Sequence, residues 1–317
     1  MTAVNQELTP WPTVSAVVVN WNAREALLGC LRSLKENPPA FPWEAVVVDN
    51  GSSDGSVDAA AKGAPWARVI ENRHNRGLAA ANNQGMLAAR GQVFLIANPD
   101  VIFRPGAIDE LVATLSRHPR AAFAIPRLLQ EDGTPQASAG DLPSLAEALA
   151  GRQAQRWRRA RAADQGMWWD SWAHDEERRV GRGHEAAYAV RREAVELVGL
   201  QDESFALDWE GFDWTARMRD AGWEVWFNPA AEVVHLGGVS IRQVPFRSVV
   251  SSHRGMYRYF AKKTPAAWHP ALALAFAVRA GIKLTAIATG VAMYDRAHRT
   301  GRLTVRNEEG PGSGPST

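Results

Sequence analysis

Short apolar runs alternate with helix-forming segments along the first third of the chain. The runs Val14–Val19, Glu44–Val48 and Val93–Ala97 are rich in valine and isoleucine, which predicts buried strands. Arg24–Lys35 lies between two of these runs and places its leucines at helical spacing. Because strands that alternate with helices over short loops form parallel sheets with right-handed crossovers, the pattern predicts an α/β protein.

Each of these predicted strands ends in polar residues. They are followed by Asn20-Trp21-Asn22, Asp49-Asn50 and Asn98-Pro99-Asp100. Pro99 has no N–H for a sheet hydrogen bond, so the third strand must stop there. Taken alone, Asn-Pro-Asp is an ordinary turn. The carboxyl ends of parallel strands share one edge of a sheet, however, so the three loops are expected to converge where α/β sheets bind ligands.

A nucleotide suits such an edge, because amides and carboxylates read base or ribose groups while helix N-termini favour phosphates. Neither a phosphate-binding G-x-x-x-x-G-K-[ST] loop nor G-x-G-x-x-G follows the first strand, which argues against P-loop ATPases and dinucleotide oxidoreductases. The net charge of +2 over 317 residues gives no electrostatic reason to expect nucleic acid binding. The single cysteine, Cys30, excludes an internal disulfide and fits a reducing compartment.

The second half of the chain contains a dense acidic stretch, Asp202–Trp214, in which carboxylates lie among aromatic residues. Its members Asp208, Glu210 and Asp213 are too closely spaced to be explained only as decoration of the predicted helix Thr215–Ala221, although an acidic N-cap explains one of them. Two further strands, Glu224–Phe227 and Ala231–Val234, are predicted to follow. The second of them ends in His235 beside a glycine-rich turn.

Taken in order, these segments resemble inverting family 2 glycosyltransferases of the GT-A fold, especially the bacterial rhamnosyltransferase-like branch. The resemblance implies a mixed, mostly parallel sheet flanked by helices over residues 13–240, with a nucleotide-sugar half (13–100) and an acceptor half (101–240). The matching segments are Val14–Asn22, Val47–Ser56, Asn72–Gly85, Asn98–Asp100, Val190–Gly199, Asp202–Trp214 and Val234–Ser240.

The resemblance implies a nucleotide-diphospho-sugar donor, linked to dTDP, UDP or GDP, with dTDP-rhamnose favoured. Asp49 is expected to face the base, and Asp100 with His235 to hold Mg²⁺ or Mn²⁺ against the diphosphate. Oxygen ligands and substrate phosphates suit such a cation. The donor-binding residues implied by the resemblance are Val19, Asn20, Asn22, Asp49, Asn50, Asn75, Arg76, Gly77, Asn83, Asn98 and Asp100.

Inversion of the sugar needs a general base, and the family usually supplies it as the aspartate of a Glu-Asp pair. Here the pair reads Glu210-Gly211, so the expected aspartate is absent. The candidates that remain are Glu210 first, Asp213 next and then Asp208. The alternative is a weak or silent relative that binds sugar nucleotides as a partner subunit. A sugar nucleotidyltransferase is a third possibility, but its glycine-rich basic loop is missing at Asn20–Asn22.

The C-terminal part, residues 241–306, is predicted to be a helical extension. Arg242–Lys263 is basic and aromatic, whereas Ala266–Arg299 is apolar with scattered cations, a combination typical of a segment that lies on a membrane. Packing against the core or a homodimer partner is the alternative. The resemblance implies a glycan or polyprenyl-diphosphate-linked acceptor, and so a cytoplasmic protein peripheral on the inner face of the membrane.

The predictions for three remaining segments rest on composition. Met1–Pro12 is polar and lacks the features of a signal peptide, so it is predicted to be an N-terminal tail of residues 1–12. Arg152–Arg161 is strongly basic, which indicates a solvated helix face or contact with an anionic membrane or diphosphate. Residues 307–317 are rich in Gly, Pro and Ser and are predicted to be disordered.

Overall fold

The computed structural model describes residues 13–150, 172–205, 209–237 and 245–299. The predictions made for residues 1–12, 152–161, 307–317 and Asp208 therefore lie outside the described residues. The strands are β1 Val14–Asn20, β2 Trp43–Asp49, β3 Arg68–Glu71, β4 Val93–Ala97, β5 Val101–Phe103, β6 Ala121–Leu129, β7 Pro135–Gln136, β8 Ala139–Gly140, β9 Arg178–Val180, β10 Arg182–Gly183, β11 Ala187–Arg191 and β12 Glu224–His235. The helices are α1 Arg24–Glu36, α2 Ser56–Gly63, α3 Leu78–Ala88, α4 Ala107–Arg117, α5 Arg192–Val198, α6 Glu210–Asp220, α7 Pro245–Ala261 and α8 His269–Arg299.

The first half of the sheet is parallel, as the alternation of strands and helices predicts. Strand β1 pairs in parallel with β2 and β4, and β2 pairs in parallel with β3. Strands β1, β2 and β4 are buried on both faces, because α1 and α2 contribute to an apolar cluster on one side and α3 to another on the other side. Because β1, β2 and β4 are parallel, their polar carboxyl ends lie at one edge of the sheet.

The second half of the sheet is mixed. Within the described residues the sheet runs β3-β2-β1-β4-β11-β6-β12-β5, and β11 is antiparallel to both β4 and β6. Strand β12 pairs in parallel with β6 and antiparallel with β5. The predicted α/β architecture, a mostly parallel sheet flanked by helices, is therefore confirmed, and the reversal at β11 brings residues just before that strand to the edge where β1, β2 and β4 end.

Two predicted boundaries are wrong. The segments predicted as separate strands, 224–227 and 231–234, belong to one continuous strand, β12, whose register shifts between Asn228 and Glu232. This shift is a β-bulge, and the residues between the two apolar runs lie in it. The helix predicted to begin at Thr215 begins at Glu210. Glu210 and Asp213 therefore lie in the first helical turn, where carboxylates oppose the positive end of the helix.

Helices α7 and α8 dock on the acidic stretch through an aromatic cluster. Phe205, Trp209 and Phe212 pack there against Tyr259 of α7 and Phe276 of α8. The guanidinium of Arg279 donates to the carbonyl oxygen of Leu149 at 3.1 Å and lies 2.8 Å from His253 Nε2. This packing makes α7 one wall of the cavity described below.

The other face of α8 is apolar and open to solvent. Leu274 is 66% exposed and Ile282 67% exposed. Among the described residues, the stretch Ala266–Thr289 is the one that is long and apolar enough to cross a membrane, and 11% of its most apolar window is buried. The stretch is not free of charge, because Arg279 and Lys283 interrupt it.

Candidate active site

The carboxyl ends of β1, β2, β4 and β12 surround a cavity of about 1270 Å³ that α7 and α8 close on the opposite side. Many of the residues predicted from the sequence line it: Val19, Asn50, Asn75, Arg76, Gly77, Asn98, Asp100, Glu210 and His235. Others do not line it: Asn20, Asp49, Asn83 and Asp213, which are buried, and Asn22, which is half-buried. The predicted convergence of strand ends thus takes place, and the hydrogen bonds and ion pairs of the second group are described below.

Asp100 and His235 face each other across two neighbouring strand ends. His235 pairs with Val101 in the register of β12 and β5, and the Leu236 N–H donates to the carbonyl oxygen of Asp100 at 2.9 Å. His235 Nε2 lies 3.8 Å from Asp100 Oδ2, and both side chains are buried. A carboxylate oxygen and an imidazole nitrogen are thereby aimed at the same space.

The contacts of His235 prepare its Nε2 for a cation. Nδ1 lies 3.1 Å from the Gln136 Oε1, which can only accept, so Nδ1 carries the proton and Nε2 keeps its lone pair. Burial lowers the pKa of His235, although the carboxylate of Asp100 acts in the opposite direction. The ring is therefore held in the neutral form that binds metals.

The residues present fit a hard divalent cation that keeps ligands from elsewhere. In the described parts of the chain no group of three or more His, Cys, Asp or Glu side chains is arranged to hold a metal. A pair such as Asp100 and His235 matches Mg²⁺ or Mn²⁺, which use few protein ligands and take the rest from substrate phosphates or water. Nearby His184 lies with its ring centroid 5.2 Å from that of His235, and burial lowers its pKa to about 3, so it adds no positive charge.

Asp49 supports the loop after β1 instead of lining the cavity. Its Oδ2 accepts from the Asn20 side chain at 2.8 Å and its Oδ1 accepts from the Ser52 N–H at 2.8 Å. The Ser52 hydroxyl accepts in turn from the backbone N–H of Asn22 at 2.9 Å. These bonds join the ends of β1 and β2. Asn20, Asn22 and Asp49, which were predicted to contact the nucleotide, thus stabilise the loops next to Val19 and Asn50.

Asn50 fixes the loop that begins α3. Its side-chain N–H groups donate to Asn75 Oδ1 and to the carbonyl oxygen of Gly77, both at 3.1 Å, and its Oδ1 accepts from the Arg76 N–H at 3.0 Å. The preceding turn approaches this loop so closely that a Cβ on Gly51, whose φ is +80°, would overlap the backbone of His74. The start of α3 is thereby held open to the cavity.

Asn83 anchors the acidic stretch to α3. Its amide donates to the carbonyl oxygen of Gln201 at 2.9 Å and to Glu203 Oε1 at 3.0 Å, and its oxygen accepts from the Gln201 N–H at 3.0 Å. Three bonds from one buried side chain hold a segment that is distant in sequence. Asn83 therefore positions the cavity wall formed by Glu203 and Phe205.

Asp213, a candidate base from the sequence, is engaged by two cations. Its Oδ1 lies 2.7 Å from Lys262 Nζ and its Oδ2 lies 3.0 Å from Arg217 Nε. Lys262 also pairs with Asp202 at 2.6 Å. These contacts tie α7 to the acidic stretch, and they give Asp213 a structural role away from the cavity lining.

Several lining residues were missed by the sequence interpretation. Glu185 lies two residues before β11 and faces the same cavity as Asp100 and Glu210. Three arginines of α7, at positions 247, 254 and 258, line the opposite wall. The basic character of α7 was visible in the sequence, whereas Glu185 belongs to none of the motifs.

Comparisons with known proteins agree with this geometry. Residues 15–169 match the family described as Glycosyl transferase family 2. The chain is 29% identical over 247 residues to the N-acetylglucosaminyl-diphospho-decaprenol L-rhamnosyltransferase of two Mycobacterium tuberculosis strains, which covers 73% of this chain and 78% of the relative.

Solved glycosyltransferases share the fold. The mannosyltransferase PcManGT from Pyrobaculum calidifontis, in complex with GDP-Man and Mn²⁺, aligns with a TM-score of 0.54 at 18% identity over 90% of this chain and 81% of that one. GalNAc-T7 with UDP, GalNAc and Mn²⁺ aligns with a TM-score of 0.52 at 19% identity over 73% of this chain, which spans 45% of GalNAc-T7. At these identities the likeness shows the fold alone.

Proposed function

We propose that this chain, a glycosyltransferase that carries a family 2 domain of the GT-A fold, moves a sugar with inversion from a nucleotide-diphospho-sugar to a lipid-linked acceptor. One observation carries the proposal. The Asp100–His235 pair lies on one wall of the cavity with carboxylates beside it, and arginines line the opposite wall. The pair suits the cation of a sugar-nucleotide diphosphate, a carboxylate suits a general base, and the arginines suit a diphosphate-bearing acceptor. The transferred sugar is proposed to be rhamnose, in line with the relative from Mycobacterium tuberculosis.

The donor is proposed to lie along the strand ends. Val19, Asn50 and Arg76 line this part of the cavity, and the start of α3 opens into it. Helix N-termini and a guanidinium favour phosphate oxygens. A dTDP-linked sugar fits the proposed rhamnose, and UDP- and GDP-linked sugars are the alternatives that a donor screen separates.

Asp100 and His235 are proposed to hold Mg²⁺ or Mn²⁺. When bound, such a cation stabilises the negative charge that develops on the leaving diphosphate. The chain's own contribution is to present the Asp100 oxygen and the His235 Nε2 in a buried pair, with Gln136 fixing the imidazole tautomer. Mn²⁺ in the complexes of PcManGT and GalNAc-T7 is consistent with this assignment.

The acceptor is proposed to enter between α7 and α8. The α7 residues Arg247, Arg254 and Arg258 suit a diphosphate, and Leu284 with Ala288 of α8 adds apolar surface at the same cavity. A polyprenyl-diphosphate-linked sugar has both kinds of group. The exposed apolar face of α8 is accordingly proposed to rest on the inner face of the cell membrane.

A screen of nucleotide-diphospho-sugars, with and without Mn²⁺, tests the donor and the metal together. Ligand binding to the folded state raises the unfolding temperature, so the true donor is expected to stabilise the chain more with Mn²⁺ than without it. Transfer of a labelled sugar from that donor to polyprenyl-diphospho-N-acetylglucosamine is the activity readout. Stabilisation by no donor, together with no transfer, would rule the proposed function out.

Binding to vesicles tests the membrane assignment. The chain is expected to float with vesicles that contain anionic lipid, and Leu274→Lys with Ile282→Lys to lose most of that binding, because both residues are exposed on α8. Retained flotation in the double variant would refute a membrane role for this face. A concentration-dependent dimer that the double variant abolishes would assign the face to a second copy of the chain.

A further inference from the structure

The position of the missing aspartate is filled by another carboxyl group. Gly211 is buried in the first turn of α6. A Cβ built on Gly211 would overlap the Cδ and both carboxylate oxygens of Glu185, and these three atoms are its nearest neighbours. With glycine at 211 the carboxylate of Glu185 occupies this space, and a side chain at 211 would fit only if that carboxylate moved.

The sheet determines where Glu185 lies. In the antiparallel pairing of β11 and β4, Ala187 is opposite Ala97, and the carbonyl oxygen of Ala186 accepts from the Asn98 N–H at 2.8 Å. Glu185 is thereby placed beside the Asn98-Pro99-Asp100 turn that carries the proposed metal ligand. Its carboxylate belongs to the same cavity lining as Asp100 and His235.

Accessibility distinguishes Glu185 from Glu210, the base favoured by the sequence. The Glu185 side chain is 27% exposed, whereas Glu210 is 1% exposed. A general base must come within hydrogen-bond distance of the hydroxyl that it deprotonates, so the more accessible carboxylate is better placed to meet an incoming acceptor.

A buried arginine holds the Glu185 carboxylate. Arg182 Nη2 lies 3.9 Å from Glu185 Oε1, and the guanidinium stacks over the Phe212 ring with Cζ 3.9 Å from the ring centroid. Arg182 thus places a positive charge near the Glu185 carboxylate, although it does not itself line the cavity.

We propose that Glu185 is the general base of the transfer reaction and replaces the aspartate that the family usually carries at the position of Gly211; this assignment rests on the proposed function. The Glu185 carboxylate takes the proton of the acceptor hydroxyl while that oxygen forms its bond to the anomeric carbon of the sugar. The bond from the anomeric carbon to the diphosphate breaks, and its electron pair leaves with the nucleoside diphosphate. Glu185 then releases the proton to water.

Glu185→Gln tests the assignment because it keeps the size of the side chain and removes its basicity. Transfer is expected to fall about 10²- to 10⁴-fold, which is the usual contribution of a general base. Donor binding, measured as the shift in unfolding temperature with Mn²⁺, is expected to stay at the wild-type value. The matched control is Glu193→Gln on the exposed face of α5, which should leave both readouts unchanged.

Moving the carboxylate from position 185 to position 211 distinguishes a general base from a residue with a purely structural role. Glu185→Gly alone is expected to lose transfer, and Glu185→Gly combined with Gly211→Asp to regain at least about tenfold, because the carboxylate then enters the same space from α6. Gly211→Asp alone is expected to displace the Glu185 carboxylate from this space. Recovery in the double variant is a result that a purely structural role of Glu185 would not give.

Two outcomes would overturn the assignment. One is a Glu185→Gln enzyme with the wild-type transfer rate. The other is a double variant that binds donor as the wild type does and shows no gain over Glu185→Gly. Failure of the proposed function itself is distinguishable, since the unaltered chain would then neither bind a nucleotide-sugar nor transfer one, and the base assignment would fall with it.

Discussion

The two sides of the cavity are built in different ways. The proposed donor side consists of strand ends, where Asp100 lies between β4 and β5 and His235 ends β12, the strand that pairs with β5. The proposed acceptor side is assembled from segments far apart in the chain, as in the ion pair that joins Lys262 to Asp202 across 60 positions. Functional residues at strand ends can be recognised in the sequence, because they follow an apolar run. Residues brought together by tertiary contacts cannot be recognised in this way.

Of the three substitutions that compare the two sides, Asp100→Ala is expected to give the largest effect, because it removes a proposed metal ligand from the proposed donor side. Transfer should fall by about 10³-fold, equivalent to roughly 4 kcal/mol of transition-state stabilisation. The dependence of donor binding on Mn²⁺ should disappear as well, which a titration of the metal followed by the change in unfolding temperature measures. If Asp100→Ala binds donor and Mn²⁺ as the wild type does, the donor side is not the metal side.

Gln136→Leu tests whether the donor side depends on a residue behind the ligands. The Nδ1–H of His235 would lose its acceptor, so the imidazole would no longer be held with Nε2 towards Asp100. Metal affinity is expected to drop by about 10- to 100-fold, with transfer restored at saturating Mn²⁺. An unchanged requirement for Mn²⁺, measured as the concentration for half-maximal transfer, would contradict this role for Gln136.

Asp202→Asn probes the acceptor side and should give the smallest effect. Burial acts to raise the pKa of Asp202, but hydrogen bonds from Lys262 and Ser204 prevail and lower it to about 2. A depressed pKa in the folded state means that the carboxylate stabilises the protein above its ordinary pKa of about 4, and that this contribution is lost as pH falls towards 2.

The wild type should therefore exceed Asp202→Asn in free energy of unfolding by up to about 1 kcal/mol at pH 6, the value typical of an exposed ion pair. The difference should shrink as the pH falls from about 4 to 2. Urea unfolding at several pH values measures it, and a difference that does not change with pH would show that the Lys262 contact does not stabilise the docking of α7.

Much of the fold follows from the sequence, because burial forces each strand to be apolar and each polar loop to the edge. The parallel half was predicted from that pattern alone. The antiparallel entry of β11 was not, since an apolar run carries no mark of its direction in the sheet. The joining of two predicted strands into β12 was missed for a related reason: the bulge between Asn228 and Glu232 has the composition of a turn.

The residues of the candidate site were likewise predicted only in part from the sequence. Asp100 and His235 were predicted as a pair, and the structure brings their side chains to 3.8 Å. Asp49 and Asn83 were expected at the nucleotide, but their hydrogen bonds hold neighbouring loops. Glu185 could not be found from a motif, because what distinguishes it is the absence of a side chain at Gly211, and only the folded chain shows that the two positions share one space.

The pairing of β11 with β4 determines how firmly Glu185 and Asp100 are held relative to each other. Glu185 lies two residues before β11 and Asp100 three residues after β4, and backbone hydrogen bonds join these strands as far as Asn98, so the sheet restrains the span between the proposed base and the proposed metal ligand. An aspartate at 211 would instead have moved with α6. Helices α7 and α8, which carry the proposed acceptor residues, lie outside the sheet, so substitutions there are expected to change acceptor binding more than the distance between the proposed base and the proposed metal ligand.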